Sequence, residues 1–201
     1  MDTIERSPHE RENMMPRFLS MVGLALVAGA AVAADKYTID STFTVPTFEI
    51  THLGFTTQQG RFNHATGSIV LDLAANKGSV EFTIDTTSVD MSSAAWSRHV
   101  ADPGLFNVDK YPTMTYKSTA LIFKDGKVVG ADGDFTMLGV TKPLHLTVSG
   151  FRCIKHPLNN MPVCGGDVTA TIKRSDFGMK KYIPEVSDDI KIRVPVEAYK
   201  D

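Results

Sequence analysis

From Lys36 onward the apolar residues of the chain recur with a period of two, segment after segment. Val80, Phe82 and Ile84 alternate with Glu81, Thr83 and Asp85; Ile69, Leu71 and Leu73 surround Val70 and Asp72; Leu144, Leu146 and Val148 surround His145 and Thr147. The rhythm continues in Val168, Ala170 and Ile172, then in Ile190, Ile192, Val194 and Val196, between which stand Lys191 and Arg193, with Glu197 following. Successive side chains of an extended strand point to opposite faces, so each segment predicts a strand with one buried and one wet face. Segments near residues 37 to 53, 58 to 73, 78 to 88, 112 to 122, 126 to 138, 143 to 151, 166 to 175 and 189 to 199 make eight candidate strands. An antiparallel sheet of that size loses its exposed edges by closing, and an eight-stranded barrel has room for packed side chains or one small ligand. The class is all-β; periodicity leaves a filled barrel, a hollow barrel and a sandwich open.

Turn-forming clusters punctuate the pattern. Asn76-Lys77-Gly78, Lys124-Asp125-Gly126-Lys127 and Asp132-Gly133-Asp134 are read as hairpin tips. The exception to alternation is Met91 to Leu105, where Asp90 or Ser92 is expected to cap a short helix that Pro103 and Gly104 end.

The first third of the picture changes with residues 18 to 34, FLSMVGLALVAGAAVAA, preceded by Arg17 and closing on Ala31-Val32-Ala33. This is the anatomy of a cleaved secretory signal peptide, shorter than a membrane span and followed by no positive cluster. Upstream of Met14 the acidic residues outnumber the basic ones, so residues 1–13 read as an extension before the true start, 14–34 as the signal and 35–201 as the mature domain. Of 21 basic and 23 acidic side chains, three and four fall in residues 1–34, leaving 18 against 19, with no basic stripe for nucleic acid. Export to an oxidising compartment, the periplasm, agrees with two cysteines, Cys153 and Cys164. They flank a Pro- and Asn-containing stretch that reads as a loop, and their expected disulfide would stabilise by about 3 kcal/mol on the chain-entropy model.

Candidate chemistry is sparse. His52, His64, His99, His145 and His156 show no His-x-His or His-x-x-x-His spacing, and His156 with two cysteines makes an incomplete zinc set, so no metal is expected. Neither a Gly-x-Ser-x-Gly elbow nor a glycine-rich phosphate loop occurs. His52 is read as a satisfied structural residue at a strand end, and His99, beside Arg98 in the expected helix, as the better head-group candidate. Phe43, Phe48, Phe55, Phe62, Phe82, Trp96, Phe106, Met114, Tyr116, Phe135 and Met137 are core residues on the simplest reading and walls of an apolar pocket on the functional one.

Taken in order, several motifs converge. They are Tyr37-Thr38-Ile39-Asp40, Phe48-x-Ile50-x-His52-Leu53-Gly54, Gly60-Arg61-Phe62, Thr86-Thr87-Ser88-Val89, Arg98-His99 and Tyr111-Pro112. After these come the run from Gly133 to Pro143, GDFTMLGVTKP, and the hexapeptide Lys173-Arg174-Ser175-Asp176-Phe177-Gly178. On these motifs the chain resembles the YceI-like family of secreted, lipocalin-like polyisoprenoid-binding proteins. The resemblance implies an eight-stranded antiparallel lipocalin-like barrel with a short helix and an elongated apolar cavity for an isoprenoid chain of quinone or polyprenyl phosphate type. It implies a carrier or buffer and no catalysis, with no cofactor beyond the bound lipid. The residues expected to face the ligand are Phe48, Ile50, His52, Phe62, Phe82, Trp96, His99, Phe106, Met114, Tyr116, Phe135 and Met137. Pro46 is awkward on an inward face because proline cannot donate to a ladder, and Trp96 stands where the family commonly carries charge. A transient membrane contact for ligand exchange is a further expectation; the oligomeric state is left open, a homodimer being one option. The alternatives are a filled barrel acting through its surface in stress protection, and an enzyme acting on a prenyl lipid through His99, His52 or Asp102.

Overall fold

The computed structural model describes residues 1–3 and 34–201. The expected signal segment and most of the upstream extension therefore lie outside the described residues. From Asp35 the alternating segments form strands β1 (Asp35–Ile39), β2 (Thr47–His52), β3 (Thr56–Phe62), β4 (Ala65–Asp72), β5 (Lys77–Asp85) and β6 (Val89–Asp90). Helix α1 (Ala94–Ala101) follows, then β7 (Thr113–Lys124), β8 (Lys127–Met137), β9 (Val140–Lys155), β10 (Pro162–Lys173) and β11 (Val186–Lys200).

All pairings are antiparallel, and the ring β1-β4-β5-β7-β8-β9-β10-β11 closes where β1 pairs with β11, Ile39 opposite Ala198. The other three strands prolong members of that ring. Along β11, β2 takes over from β1 with Thr47 opposite Arg193; β3 lies on β2 as β4 lies on β1, and β6 pairs with β3 beyond the end of β5. The barrel thus has eight staves, three of them interrupted, and they coincide with the eight alternating segments. Closure excludes the sandwich.

The interruption between β1 and β2 resolves the awkward proline. Pro46 is fully buried in the break, its carbonyl accepts from the Phe62 amide at 2.9 Å, and no ladder bond is asked of its nitrogen. Buried Thr44 ties the same break to β11 by accepting from the Glu197 amide at 3.1 Å.

Two turn readings divide. Asp125 (φ 51°) and Gly126 (φ 70°) form the two-residue β7–β8 turn, whose paired positive φ angles match strand twist. Asp132-Gly133-Asp134 is no tip: it lies inside β8, Gly133 opposite both Ser118 and Leu144. Its glycine serves a close approach, since a β-carbon there would stand 2.7 Å from the Tyr116 hydroxyl and ring. The helix cap also shifts. Ser93, not Asp90 or Ser92, takes the N-cap position of α1, and Asp90 instead pairs with Arg61 at 2.8 Å. The cysteine loop is shorter than read, because β9 runs to Lys155 and β10 starts at Pro162, which places Cys153 directly opposite Cys164 in a cross-strand disulfide.

The staves define two ends. The capped end gathers the β2–β3 turn, the α1 connection, the β8–β9 turn and the β10–β11 connection; the hairpin end gathers the β4–β5 and β7–β8 turns and the β9–β10 loop. At the hairpin end one ladder is incomplete. β5 and β7 pair only from Asp85–Thr113 to Glu81–Lys117, although the strands continue to Lys77 and Lys124. One position past the last rung, the Val80 amide donates to the Ser118 hydroxyl at 2.7 Å.

Candidate ligand cavity

Inward positions of all eight staves surround a cavity of about 160 Å³. Its wall alternates aromatic and aliphatic groups: Phe48, Phe62, Phe82, Phe106, Phe135 and Tyr116 with Leu, Ile and Val from β4, β5 and β7 to β11. The wall carries no carboxylate, imidazole, ammonium or guanidinium group. Its one ionisable side chain is the Tyr116 phenol, pushed up to about 12 by burial and then by Asp132 and Asp134, and its hydroxyl donates to the Leu144 carbonyl at 3.4 Å. An ion inside this space would meet no compensating charge, so the cavity suits neutral hydrocarbon.

Eight of the twelve expected site residues stand on this wall: Phe48, Phe62, Phe82, Phe106, Met114, Tyr116, Phe135 and Met137. Four do not. Ile50 is half-buried and packs against the surrounding core, and His52 is half-buried at the end of β2, opposite Thr56 and Val186. Trp96 and His99 lie on the exposed side of α1, Trp96 at 45% exposure and His99 with its ring centroid 5.7 Å from that of Tyr182. Helical spacing of three puts these two on one face, and that face is turned from the barrel.

The stopper of the capped end is Phe106 instead. It stacks edge-on against Phe62 and Phe48, with centroids 5.3 and 5.8 Å apart, and is fully enclosed with Met91, Phe177 and Met179. The α1 connection is tied down by its ends: Thr86 donates through its hydroxyl to the Tyr111 carbonyl at 2.6 Å, and the Phe106 and Val108 amides return to Val100 and Ala101. Two of the motifs read in the sequence, Thr86 to Val89 and Tyr111-Pro112, thus hold the stopper in place.

Arg174 does the same for the β10–β11 connection. It is 1% exposed, and its guanidinium donates to the carbonyls of Ser187, Met179, Lys181 and Val186 at 2.8 to 3.1 Å. Burial lowers its pKa, while Asp188 acts in the opposite direction. Asp188 itself is held low, chiefly by the Ser175 hydroxyl that donates to it at 2.7 Å. The Lys173 to Gly178 motif is visible in the sequence but this role is not, since alternation gives no sign that a charged residue at a strand end turns inward.

A second depression of about 880 Å³ lies on the outer face of β2, β3, β9, β10 and β11. It is open and polar; on it Arg61 pairs with Asp90 and Arg193 with Asp167 at 3.0 Å, and the His145 Nδ1 lies 2.7 Å from the Asp132 carboxylate. Among the described residues no group of three or more potential metal ligands gathers.

Comparisons with known proteins bear on the whole barrel. The YceI-like domain family matches residues 37–198. Protein YceI of Shigella flexneri is 34% identical over 184 residues, covering 89% of this chain and 94% of that one. Among solved structures, the Campylobacter jejuni YCEI protein superposes with a TM-score of 0.65 at 26% identity, covering 75% of this chain and 90% of that one. A polyisoprenoid binding domain from Saccharophagus degradans, described as implicated in plant cell wall breakdown, shares the fold with a TM-score of 0.60 at 15% identity, over 82% and 98% of the two chains. With a closed eight-stave lipocalin-like barrel matched from its first strand to its last, the chain belongs to the YceI-like family.

Proposed function

We propose that this protein is an exported binding protein that holds the neutral tail of an isoprenoid lipid inside the barrel, as carrier or buffer. The observation that carries the reading is the wall itself, apolar on every stave and without a fixed charge. Each CH₂ taken from water into such a site contributes about 0.8 kcal/mol, so a prenyl tail is held without polar contacts. A charged head group has no countercharge within the wall and belongs outside it. With Tyr116 as its one titratable side chain, the wall supports binding over catalysis, which would need two such groups within reach of one point. The family match and the described polyisoprenoid binding domain support the ligand class. The disulfide supports export to the periplasm.

Volume sets a further condition. A cavity near 150 Å³ accepts a molecule of about benzene's size. A chain of several isoprene units therefore displaces the adaptable Met114 and Met137 side chains or runs out of the barrel. The small volume is also what favours the second reading, a barrel whose interior is only core and which acts through its surface.

Organic extraction and mass spectrometry of protein purified without detergent, beside native mass measurement, decides between them. A stoichiometric prenyl lipid is the expected result. An empty chain that also takes up no added quinone or polyprenyl phosphate overturns the lipid-holding reading in favour of the second.

A further inference from the structure

The hairpin end combines exposed apolar side chains with excess positive charge. The β9–β10 loop presents Leu158 at 90% exposure, with Met161 and Ile154 beside it, and Leu73 stands in the β4–β5 turn. Around them lie Lys77, Lys124, Lys127, Arg152 and Lys155, all exposed and none in an ion pair among the described residues. Only Asp72 and Asp125 oppose them in these turns, and Asp72 already accepts from the Ala75 amide at 2.8 Å. Of the other charges nearby, Lys36 pairs with Asp201 and Lys200 with Asp35, which leaves Glu197, one strand from Arg152, as the third opposing carboxylate against five basic groups. This excess sits on a chain whose net charge is −2.

The capped end is different. It too exposes large apolar groups, Leu53, Phe55, Trp96 and Tyr182, but the connections there carry Asp102, Asp109, Asp176 and Glu185 in number equal to Arg98, Lys110, Lys180 and Lys181. Beneath them the cavity is stopped by Phe106 and its packed neighbours.

The hairpin end also leads to the cavity. Val80 and Leu121 flank the gap where the β5–β7 ladder has stopped, and both line the cavity. Leu121 lies over Gly78, its Cδ1 2.8 Å from where a β-carbon on that glycine would stand. What spans the gap is the Leu121 side chain and one bond from the Val80 amide to the Ser118 hydroxyl; the leucine moves by a rotamer change, whereas an intact ladder would open only by breaking a series of backbone hydrogen bonds.

Lysines above an anionic surface and apolar side chains entering the acyl boundary are how a protein rests on a bilayer. We propose that the hairpin end is the docking face for an anionic phospholipid bilayer, with Leu158 entering the boundary and the ligand passing beside Leu121 between β5 and β7. The passage of ligand rests on the lipid-holding function proposed above; the docking does not.

Trp96 is the sole tryptophan and lies at the capped end, so it is a built-in control. The test is tryptophan emission of the full chain with vesicles of phosphatidylglycerol and phosphatidylethanolamine, and with vesicles of phosphatidylcholine alone. In the Leu158→Trp/Trp96→Phe variant, emission shifts to the blue on phosphatidylglycerol vesicles and is quenched by brominated acyl chains. Trp96 of the unsubstituted chain, and a matched Phe55→Trp/Trp96→Phe variant, stay in water. Adding Lys124→Gln or Lys127→Gln weakens the response by about five-fold each. Residues 18 to 34 are apolar enough to hold the chain on vesicles by themselves. The readout is therefore which indole enters lipid and how that depends on the two lysines. An indole at position 158 that stays in water, or that enters phosphatidylcholine equally and without regard to the lysines, overturns the docking face. Lipid extraction from the same preparation reports separately on cargo: an empty barrel with the indole response intact sinks the lipid-holding function and leaves the docking face standing.

Discussion

Phe106, carried by the connection after α1, meets Phe62 of β3 edge to face with ring centroids 5.3 Å apart, and this contact closes one end of the barrel. A residue far along the chain from the strand it touches therefore sets the length of the cavity. The Phe106→Ala substitution removes a buried ring from the stopper and is expected to cost about 3–5 kcal/mol. The vacated volume joins the cavity, so uptake of a small apolar probe such as benzene rises at the same time. Urea unfolding and calorimetric titration with benzene check the pair of effects. Unchanged stability with unchanged uptake would sink the assignment of Phe106 as the stopper.

The Arg174 guanidinium makes four hydrogen bonds to backbone carbonyls and none to a carboxylate. Arg174→Ala leaves those buried and half-buried carbonyls without their donors, and a loss on the order of 3 kcal/mol is expected. Arg174→Lys restores little, because an ammonium offers its donors from one nitrogen and lacks the planar fork. Denaturant midpoints of the two variants test this, and a lysine variant as stable as the parent would refute it. The role is structural, so a variant that still folds keeps the cavity wall.

These two residues mark the boundary of what the sequence made legible. Alternation in β4, β5, β9, β10 and β11 places Leu71, Ile84, Leu146, Ile172 and Ile190 inward without knowledge of any partner, because a period of two depends only on backbone geometry. Seven of the eight wall residues are recognisable as large apolar groups on alternating strands. Trp96 and His99 were misplaced because a short helix can pack either face, and its eight residues do not reveal which side meets the barrel. Phe106 was legible as apolar, but its contacts depend on how a connection folds back. The inward turn of Arg174 follows from carbonyls of residues 179 to 187, which no local pattern announces. Gly133 was read as a turn when it clears space for Tyr116, since glycine in a strand and glycine in a hairpin look alike in sequence.

The disulfide joins the two strands of the β9–β10 hairpin just below its loop, with Cys164 buried and Cys153 exposed. Replacing both cysteines by alanine is expected to lower stability by about 2–3 kcal/mol through the freed denatured chain. The fold itself should persist, because Val163 and Ala198 keep the hairpin seated on β11 and β1. Thermal unfolding of the double variant, followed by far-ultraviolet circular dichroism before the transition, checks both halves. A loss of strand signal at low temperature would show that the link is needed for folding rather than only for stability.

Tyr116 supplies a prediction about alkaline pH. Its phenol titrates near 10 in an unfolded chain and is pushed up to about 12 in the barrel, first by burial and then by Asp132 and Asp134. The fold therefore favours the protonated form. That contribution is fully present below pH 10, declines as the unfolded chain begins to ionise, and is lost as the pH rises through about 12. Tyr37 is raised too, again first by burial. The ammonium groups of Lys117, Lys173 and Lys200 are raised by hydrogen bonds to Glu81, Asp189 and Asp35, so they lean the same way. In the Tyr116→Phe variant the fall of stability between about pH 10 and 12 is expected to become shallower without vanishing. Urea unfolding at a series of pH values measures the slope. An unchanged slope would mean that the phenol ionises in the folded barrel as readily as in water, which the enclosed, charge-free wall around it does not permit.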